Sequence, residues 1–242
     1  MDQTEKIEQL REMITGSDSI VFFGGAGVST ESNIPDFRSQ NGLYSQKYKY
    51  PPEYMLSHTF YANNTEEFFD FYRNKMIFPQ AVPNDAHKKL AQLEREGKLK
   101  AVITQNIDGL HQAAGSKNVL ELHGSVHRNY CTGCGKFYPL DFVLEAEGVP
   151  TCSCGHIVKP DVVLYEEGLK TKTMEDAAKF IHDADMLIVG GTSLVVYPAA
   201  GLIRDYRGKK LVLINRGATA YDEKASLVIS EPIGETLAKA WP

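Results

Sequence analysis

Hydrophobic positions along the chain alternate between helical spacing and short runs that are apolar throughout. Ile7, Leu10 and Ile14 recur at helical spacing, and the apolar run 20–23 that follows ends in a glycine loop at 24–27. The pattern therefore predicts a helix, a buried strand and a tight glycine turn, in that order.

The same alternation returns further along the chain. Asn84 is placed to cap a helix that stops at Gly97, and a strand is predicted over 101–104. Later helices are predicted around 174–182 and 199–206, with strands over 186–189, 211–214 and 227–229. Short apolar strands that alternate with helices are typical of a parallel sheet covered on both faces, so the predicted fold class is α/β.

The stretch 35–83 departs from this rhythm. It is rich in Tyr, Phe, Asn and Pro, and helical spacing is visible only over 66–76. We interpret it as a cofactor loop followed by a helical insert.

Composition narrows the possible partners. The 242 residues suffice for one large domain with a smaller insert, and the net charge of -5 without a basic run argues against nucleic-acid binding. Residues 1–6 lack the pattern of a signal peptide, and no apolar run reaches the roughly 18 residues that span a bilayer. We therefore expect a cytoplasmic protein without nucleic-acid or membrane partners, and the sequence leaves its oligomeric state open.

All four cysteines fall into two short turns. Cys131 and Cys134 form one pair, and Cys152 and Cys154 form the other. Turns about 17 residues apart can deliver four thiolates to one tetrahedral ion, as in zinc ribbons. Two disulfides are the alternative, disfavoured in a chain without a secretory signal. Four cysteines leave no open coordination position, so we predict one structural zinc ion, although iron would accept the same ligands.

The glycine loop and the segment after it carry groups suited to a nucleotide. The loop 25–27 lets the backbone approach an anion, although Thr30 stands where a dinucleotide fingerprint has its third glycine. Asp36, Phe37 and Arg38 then offer a carboxylate, an aromatic face and a guanidinium, which suit a ribose, a nicotinamide-like ring and a phosphate. An ordinary solvated turn is the simpler alternative.

Polar residues also follow two further predicted strands. Gln105, Asn106 and Asp108 come directly after the strand 101–104, and His123 ends another strand. In doubly wound folds, ligands bind beyond the carboxyl ends of the strands, so we interpret these residues as functional. The other six histidines have no such neighbours in the sequence: His58, His87, His111, His127, His156 and His182.

Taken together, these motifs resemble the sirtuin family of NAD-dependent protein lysine deacylases. The resemblance runs in order from Gly24 to about Asn215. The motifs that carry it are Gly25-Ala26-Gly27-Val28-Ser29, Ile34-Pro35-Asp36-Phe37-Arg38, Thr104-Gln105-Asn106-Ile107-Asp108, His123-Gly124, the four cysteines, Pro160-Asp161-Val162-Val163 and Gly191-Thr192-Ser193-Leu194.

The resemblance implies a Rossmann-like parallel-sheet domain and a smaller domain built from a zinc-ribbon module and a helical module. The large domain would take 1–33, 82–127 and 160–242 of one catalytic unit. The small domain would take 34–81 as cofactor loop and helical module, and 128–159 as zinc module. NAD and an acyl-lysine peptide or protein would meet in the cleft between the two domains.

The resemblance also implies a set of site residues. Asn106 and Asp108 would line the nicotinamide pocket, and His123 would be the catalytic base. The NAD contacts would be Gly25, Ala26, Gly27, Thr30, Asp36, Phe37, Arg38, Gln105, Asn106, Ile107, Asp108, Gly191, Thr192, Ser193, Asn215 and Ile233. The substrate backbone would pair with Val163, Leu164 and Tyr165 as an added strand.

The chemistry that the resemblance implies suits these residue types. The acyl oxygen attacks the ribose carbon that bears nicotinamide, and His123 then activates a ribose hydroxyl. The products are deacylated lysine, nicotinamide and O-acyl-ADP-ribose. Histidine suits this role because its unperturbed pKa lies near 6.5.

The sequence departs from the usual sirtuin pattern in two places. Asn33 replaces a common glycine, which asparagine can do because it tolerates positive φ. Tyr165-Glu166-Glu167 replaces Phe-Gly-Glu, and the added carboxylate predicts a preference for basic residues that flank the lysine. Tyr72 and Lys75 have the spacing of a weak site for acidic acyl groups, but exposed Tyr and Lys on an amphipathic helix are the simpler explanation. Deacetylation is therefore the expected activity.

Other function classes would use parts of the same sequence. A mono-ADP-ribosyltransferase would use the same NAD pocket with a different acceptor, and His123 favours the deacylase. A non-enzymatic zinc-ribbon module that senses NAD is a second alternative. A dehydrogenase is disfavoured because the third glycine is missing.

Overall fold

The computed structural model describes residues 2–242, and its main feature is a six-stranded parallel sheet. The strand order is β3-β2-β1-β7-β8-β9, and each neighbouring pair is parallel. These strands are β1 (Ile20–Gly24), β2 (Leu99–Thr104), β3 (Val119–Glu121), β7 (Met186–Gly190), β8 (Lys210–Ile214) and β9 (Leu227–Ile229). The α/β fold class predicted from the sequence is confirmed.

Helices cover both faces of this sheet. Helices α1 (Gln3–Thr15), α5 (Asp85–Arg95) and α9 (Ile233–Ala240) pack on one face, and α8 (Thr171–Asp183) packs on the other. The predicted helix 199–206 also lies on the second face, but it is a 3-10 helix over Ala199–Asp205. None of the helices in residues 2–242 is long and apolar enough to cross a membrane.

Helix termini follow the signals read from the sequence. Asn84 caps α5, because its side chain accepts a hydrogen bond from the backbone N–H of Ala86 at 2.9 Å. Gly97 follows the helix with φ of 77°, a conformation that glycine adopts without strain. Both boundary predictions for α5 are confirmed.

A second, antiparallel sheet of three strands carries the cysteine turns. Its order is β5-β4-β6, with β4 at Gly124–Cys131, β5 at Phe137–Tyr138 and β6 at Val158–Val162. The short helix α7 (Leu140–Glu145) contacts β4. The strands β4 and β6 each cross a predicted domain boundary, at 127/128 and 159/160, and the boundaries themselves stay a prediction.

The segment 35–83 folds around aromatic side chains. It contains α2 (Pro52–Met55), α3 (His58–Asn63) and α4 (Thr65–Lys75), so the prediction of a single helix over 66–76 was incomplete. The α2 and α3 helices are too short for their periodicity to be visible in the sequence. Their buried core includes Phe60, Phe68, Phe69, Phe71 and Tyr72.

The register of the large sheet brings distant segments to one edge. Gly24 lies opposite Thr104 on one side and Gly190 on the other, and Gly190 lies opposite Ile214. The residues that follow these four therefore leave the sheet side by side, at its carboxyl edge. They are Gly25, Gln105, Gly191 and Asn215.

Candidate active site

A cleft of about 1000 Å³ opens at the carboxyl edge of the large sheet. Its walls also include the cofactor loop, residues 35–50, and the start of the loop after β6. Every nucleotide, catalytic and peptide residue predicted from the sequence lines this one cleft: Gly25, Ala26, Gly27, Thr30, Asp36, Phe37, Arg38, Gln105, Asn106, Ile107, Asp108, His123, Val163, Leu164, Tyr165, Gly191, Thr192, Ser193, Asn215 and Ile233. The individual roles of these residues stay predictions.

The glycine loop is held more tightly than the sequence suggested. The amides of Gly25 and Gly27 donate to the carbonyls of Gly190 and Gly191, at 3.2 and 2.8 Å, so they are not free to bind an anion. A Cβ on Gly27 would lie 2.7 Å from the Cα of Gly191, so only glycine permits this approach. Two 3-10 turns, Ala26–Val28 and Thr30–Ser32, follow the loop.

The cofactor loop is shaped by its own side chains. The carboxylate of Asp36 accepts hydrogen bonds from the backbone N–H groups of Arg38 and Ser39, at 3.0 and 2.8 Å. This is an Asx-type turn, which fixes the loop around Phe37 and Arg38. Asn33 precedes the loop with φ of 63°, as predicted for the replaced glycine.

A hydrogen-bonded chain runs along the floor of the predicted nicotinamide pocket. The amide of Asn106 donates to Ser29 Oγ at 3.1 Å, and Ser29 Oγ donates to Asp108 Oδ2 at 2.6 Å. The backbone N–H of Leu110, the first residue of the helix α6 (Leu110–Ala113), donates to Asp108 Oδ1 at 2.9 Å. Ser29 was not among the predicted site residues, because its partners lie 77 and 79 positions away in the sequence.

His123 is held through one ring nitrogen. Its Nδ1 lies 3.0 Å from the backbone carbonyl oxygen of Gln105. A carbonyl only accepts hydrogen bonds, so Nδ1 carries the proton and Nε2 of the neutral ring has a free lone pair. Burial lowers the pKa of His123 below its ordinary value, against the opposing effect of this hydrogen bond. The neutral ring is therefore the dominant form at pH 7.

Two other histidines are buried close by. His87 and His111 pack edge to face with ring centroids 4.7 Å apart, and neither lines the cleft. Burial lowers the pKa of His87 to about 4, opposed by the Asp108 carboxylate. Burial, with repulsion from His87, lowers the pKa of His111 to about 3. They are structural residues of the core, as the sequence indicated.

His127 does line the cleft, contrary to the expectation from its sequence neighbours. Its Nε2 lies 3.0 Å from the backbone oxygen of Asp108. A histidine in the middle of a β-strand gives no local signal of this contact, which is formed only when β4 packs beside the segment that follows β2.

The proposed site for acidic acyl groups is not assembled. Tyr72 is fully buried, stacked on Phe68 at 5.8 Å, and does not line the cleft, so the expectation of an exposed tyrosine is wrong. Lys75 does line the cleft, but its Nζ lies over the ring of Tyr48, 5.8 Å from the centroid. The two residues of the pair therefore face different surroundings.

The predicted peptide segment is hydrogen-bonded to the residue predicted as the base. The backbone N–H of Val163 donates to the carbonyl of His123 at 3.0 Å. Gly124 follows with φ of 79°, and a Cβ there would collide with the backbone oxygen of Asp161. Tyr197, which also lines the cleft, is 59% exposed, and the nearby Val195 is 56% exposed; the sequence analysis identified neither side chain.

The two glutamates after Tyr165 already have partners. Glu166 has φ of 74°, and its carboxylate accepts hydrogen bonds from the backbone N–H and hydroxyl of Thr59, at 2.9 and 2.7 Å. Glu167 accepts from Lys159 Nζ at 3.1 Å and from the backbone N–H of Leu164 at 3.0 Å. The expected preference for basic flanking residues thus has little support, since neither carboxylate is free.

An ion-pair network joins the large sheet to the zinc module. Arg128 on β4 donates to Glu121 on β3 at 2.6 Å and to Asp161 on β6 at 2.9 Å. Lys170 donates to the same Asp161 at 2.8 Å. Glu121 leads into His123 and Asp161 leads into Val163, so Arg128 fixes the spacing of the two strands that end at the cleft.

The four cysteines form one cluster. Their Sγ atoms all lie within 4.8 Å of one another, and Cys131–Cys154 and Cys134–Cys152 are 3.3 and 3.7 Å apart. Those separations exceed a disulfide bond but match the roughly 3.8 Å between thiolates on one tetrahedral zinc ion. The backbone N–H of Cys154 and the Tyr138 hydroxyl, which donates to Cys152 Sγ at 3.0 Å, lower the pKa of the Cys152 thiol. The donor set therefore fits one structural zinc ion.

Comparisons with known proteins agree with this arrangement. Residues 25–198 match the model of the Sir2 family. An NAD-dependent protein deacetylase of Clostridium acetobutylicum is 65% identical over 237 residues, or 96% of this chain and 97% of that protein. A structure of Sir2 with a p53 peptide and NAD+ superimposes with a TM-score of 0.85 at 40% identity, covering 97% of this chain and 96% of the other. A Sir2 variant with deacetylated p53 peptide and 3'-O-acetyl-ADP-ribose gives a TM-score of 0.88, also at 40% identity and with the same coverage.

Proposed function

The chain belongs to the Sir2 family and is an NAD-dependent protein deacetylase, and we propose a role for each part of the cleft in that reaction. Its relative from Clostridium acetobutylicum carries the same activity in its name over nearly the whole length of both chains. The observation that carries the proposal is the cleft itself, which gathers the predicted nucleotide, peptide and base residues around one space.

The sheet edge holds the nucleotide. When bound, NAD supplies the ribose carbon that accepts the acyl oxygen and releases nicotinamide. Asn106 and Asp108 form the nicotinamide pocket, and Ser29 holds them in place through its two hydrogen bonds. Gln105 donates to Thr192 Oγ1 at 3.1 Å, which closes the pocket toward the adenosine side. A pocket in which polar side chains are already paired excludes competing water from the leaving group.

His123 is the general base. Its Nδ1–H is engaged by the carbonyl of Gln105, so Nε2 takes the proton of the ribose hydroxyl. Because burial keeps its pKa below 6.5, the base is neutral at pH 7. Turnover should then be independent of pH above neutrality and fall about tenfold per pH unit below the pKa of His123.

Val163, Leu164 and Tyr165 bind the acyl-lysine peptide as an added strand. Support comes from the exposed side chains of Tyr165 and Tyr197, which both line the cleft. Solved Sir2 structures at 39% and 40% identity hold an acetylated peptide and a p53 peptide. We propose proteins with acyl-lysine as the partners, rather than nucleic acid or membranes, and a cytoplasmic location.

The cysteine cluster holds zinc as a structural ion. Cys131, Cys134, Cys152 and Cys154 are its ligands, and they leave no position for substrate. Zinc then fixes the loops of the antiparallel sheet, while the catalytic groups belong to the cleft. The disulfide alternative is not supported by the sulfur separations.

The test is incubation of the purified protein with NAD and matched acetyl-, butyryl- and succinyl-lysine peptides. Peptide mass and released nicotinamide are followed together. We expect NAD-dependent loss of the acetyl group, equimolar nicotinamide and little loss of succinyl, since Tyr72 is buried. Nicotinamide release with ADP-ribose added to protein would instead support the transferase, which the comparisons do not favour. NADH formation would indicate a dehydrogenase.

A further inference from the structure

A hydrogen bond joins two tyrosines that line the cleft. The hydroxyls of Tyr44 and Tyr165 lie 2.7 Å apart, although the residues are 121 positions apart in sequence. Tyr44 belongs to the cofactor loop, residues 35–50, and Tyr165 belongs to the proposed peptide segment, residues 163–165. Both side chains line the cleft.

Tyr44 is fixed to the residues proposed to contact NAD. Its backbone N–H donates to the carbonyl of Phe37 at 2.8 Å, and its ring packs edge to face against that of Phe37 at 5.4 Å. The guanidinium of Arg38 lies over the same ring, 5.3 Å from its centroid. A displacement of Tyr44 would therefore move Phe37 and Arg38 with it.

Tyr165 is fixed from the other side. Its backbone N–H donates to the carbonyl of Leu56, and its carbonyl accepts from the N–H of His58, both at 3.0 Å. The next residue, Glu166, adopts positive φ, which is strained for a glutamate, and the two hydrogen bonds from Thr59 hold it there. These hydrogen bonds fix the backbone that positions the Tyr165 hydroxyl.

The contact requires the hydroxyl of Tyr165, since a phenylalanine at this position would have none to bond Tyr44. The Glu166 carboxylate, through its hydrogen bonds from Thr59, braces the turn from which the Tyr165 ring extends.

We propose that the Tyr44–Tyr165 pair is a latch that preorganises the cofactor loop in its binding-competent arrangement before either substrate arrives. The inference rests on the proposed placement of NAD and peptide in this cleft. A latch of this kind raises the fraction of molecules whose loop is closed, so each substrate alone binds more tightly. Once one substrate has closed the loop, the latch adds nothing to the binding of the other.

The first test measures the loop without any substrate. Hydrogen exchange of the Leu43 and Tyr44 amides, which donate to Asp36 and Phe37, should accelerate in Tyr165→Phe by about two- to tenfold, the range given by the net worth of one hydrogen bond. Tyr44→Phe and the double variant should show the same acceleration, because either change removes the one bond. Unchanged exchange in Tyr165→Phe would overturn the latch.

Tyr48→Phe is the matched control for this measurement. Tyr48 lies in the same loop, but its hydroxyl donates to Gln46 only two residues away, at 2.8 Å. Its loss removes a hydroxyl without separating the loop from the peptide segment. Exchange at Leu43 and Tyr44 should therefore stay within twofold of the wild-type rate. An acceleration equal to that in Tyr165→Phe would mean that any lost hydroxyl loosens the loop, and would overturn the proposal.

The second test measures binding of a non-hydrolysable NAD analogue, carba-NAD, with and without a saturating acetyl-lysine peptide. In Tyr165→Phe the analogue alone should bind about two- to tenfold more weakly, while its affinity in the presence of peptide should match wild type. Equal weakening with and without peptide would indicate a direct contact and overturn the latch. If wild type binds neither ligand, the proposed function fails, and the exchange measurement still tests the latch.

Discussion

The two walls of the cleft are held in place by different kinds of interaction. The sheet wall consists of residues that leave adjacent parallel strands at one edge, so Gly25, Gln105 and Gly191 are positioned by main-chain pairing over a buried core. The module wall consists of the cofactor loop and the peptide segment, which are joined by side chains such as Tyr44 and Tyr165.

The difference shows which parts of the site can move independently. Substituting a side chain on the sheet wall should remove a chemical group and leave its neighbours in place, because the backbone there is fixed by the ladder. Substituting a holding residue of the module wall should move several other groups. The core of the zinc module is small: Cys131, Tyr138, Cys152 and Val158 are its buried residues. Such a small core cannot stabilise a fold alone, so the bound metal ion must stabilise the module.

The largest loss of stability and activity is expected when the zinc module loses a metal ligand. Cys131→Ala removes one of four ligands, and we expect the protein to unfold or aggregate and to lose zinc and activity together. Gel filtration and metal content measure this. Ser153→Ala, on the other cysteine turn but not a ligand, should remain folded with one zinc. A folded, zinc-free and active Cys131→Ala protein would show that the module wall does not need the ion.

The next largest effect is on the sheet wall. His123→Ala should lower turnover by about 10²- to 10⁴-fold, the usual contribution of a general base, while the affinity for NAD and the melting temperature change little. His182→Ala, an exposed histidine on α8, is the control and should keep full activity. Near-normal turnover of His123→Ala would contradict the assignment, and loss of the fold would contradict the independence of the sheet wall.

The buried histidines behind the sheet wall predict a pH dependence of stability. Their folded-state pKa values, about 4 for His87 and about 3 for His111, lie below the unfolded value near 6.5, so the unfolded state binds more protons and stability falls as pH drops below 6.5. Between pH 6.5 and 5 we expect the free energy of unfolding to decrease by about 2–4 kcal/mol.

Urea denaturation at the two pH values measures this decrease. His111→Leu should reduce the pH dependence by about half, whatever it does to stability at pH 7, because one of the two titrating rings is gone. His182→Leu, at an exposed histidine on α8, is the surface control for this substitution. Equal stability of the wild type at pH 6.5 and 5 would contradict the prediction.

The smallest change in stability is expected for Arg128, whose ion pairs connect the two walls. Arg128→Gln leaves the carboxylates of Glu121 and Asp161, 8% and 16% exposed, without their shared guanidinium. We expect a loss of about 1–3 kcal/mol in the free energy of unfolding, partly offset because Lys170 still pairs with Asp161. Urea denaturation measures this loss. The control Lys172→Gln breaks an exposed pair with Asp176 and should cost less than about 0.5 kcal/mol. Equal stabilities of the two variants would show that the network is dispensable.

Much of the large sheet was predictable because its signals are local. Each strand is a short apolar run, and the two ends of α5 are marked by Asn84 and Gly97. The cysteine cluster was predictable for a related reason, since two turns of ligand residues specify one metal ion. The residues at the strand ends then followed from the rule that parallel strands present their carboxyl ends together.

The remaining features depend on contacts between distant segments. Ser29 is polar and lies in a glycine loop, and nothing nearby in sequence indicates that it bridges Asn106 and Asp108. The burial of Tyr72 depends on how α4 packs within the helical insert, which a single amphipathic pattern does not determine. The Tyr44–Tyr165 contact joins two loops without periodicity, and sequence patterns carry no information about such pairs.

The backbone conformation of Gly124 restricts which residues can occupy position 124. Gly124 follows His123 with positive φ, and any Cβ there would collide with the backbone of Asp161. A library in which position 124 is fully randomised should return glycine alone among active clones, whereas position 133 or 168 has no comparable backbone obstruction. His123 and Gly124 must therefore be inherited together, because a substitution at Gly124 would displace His123.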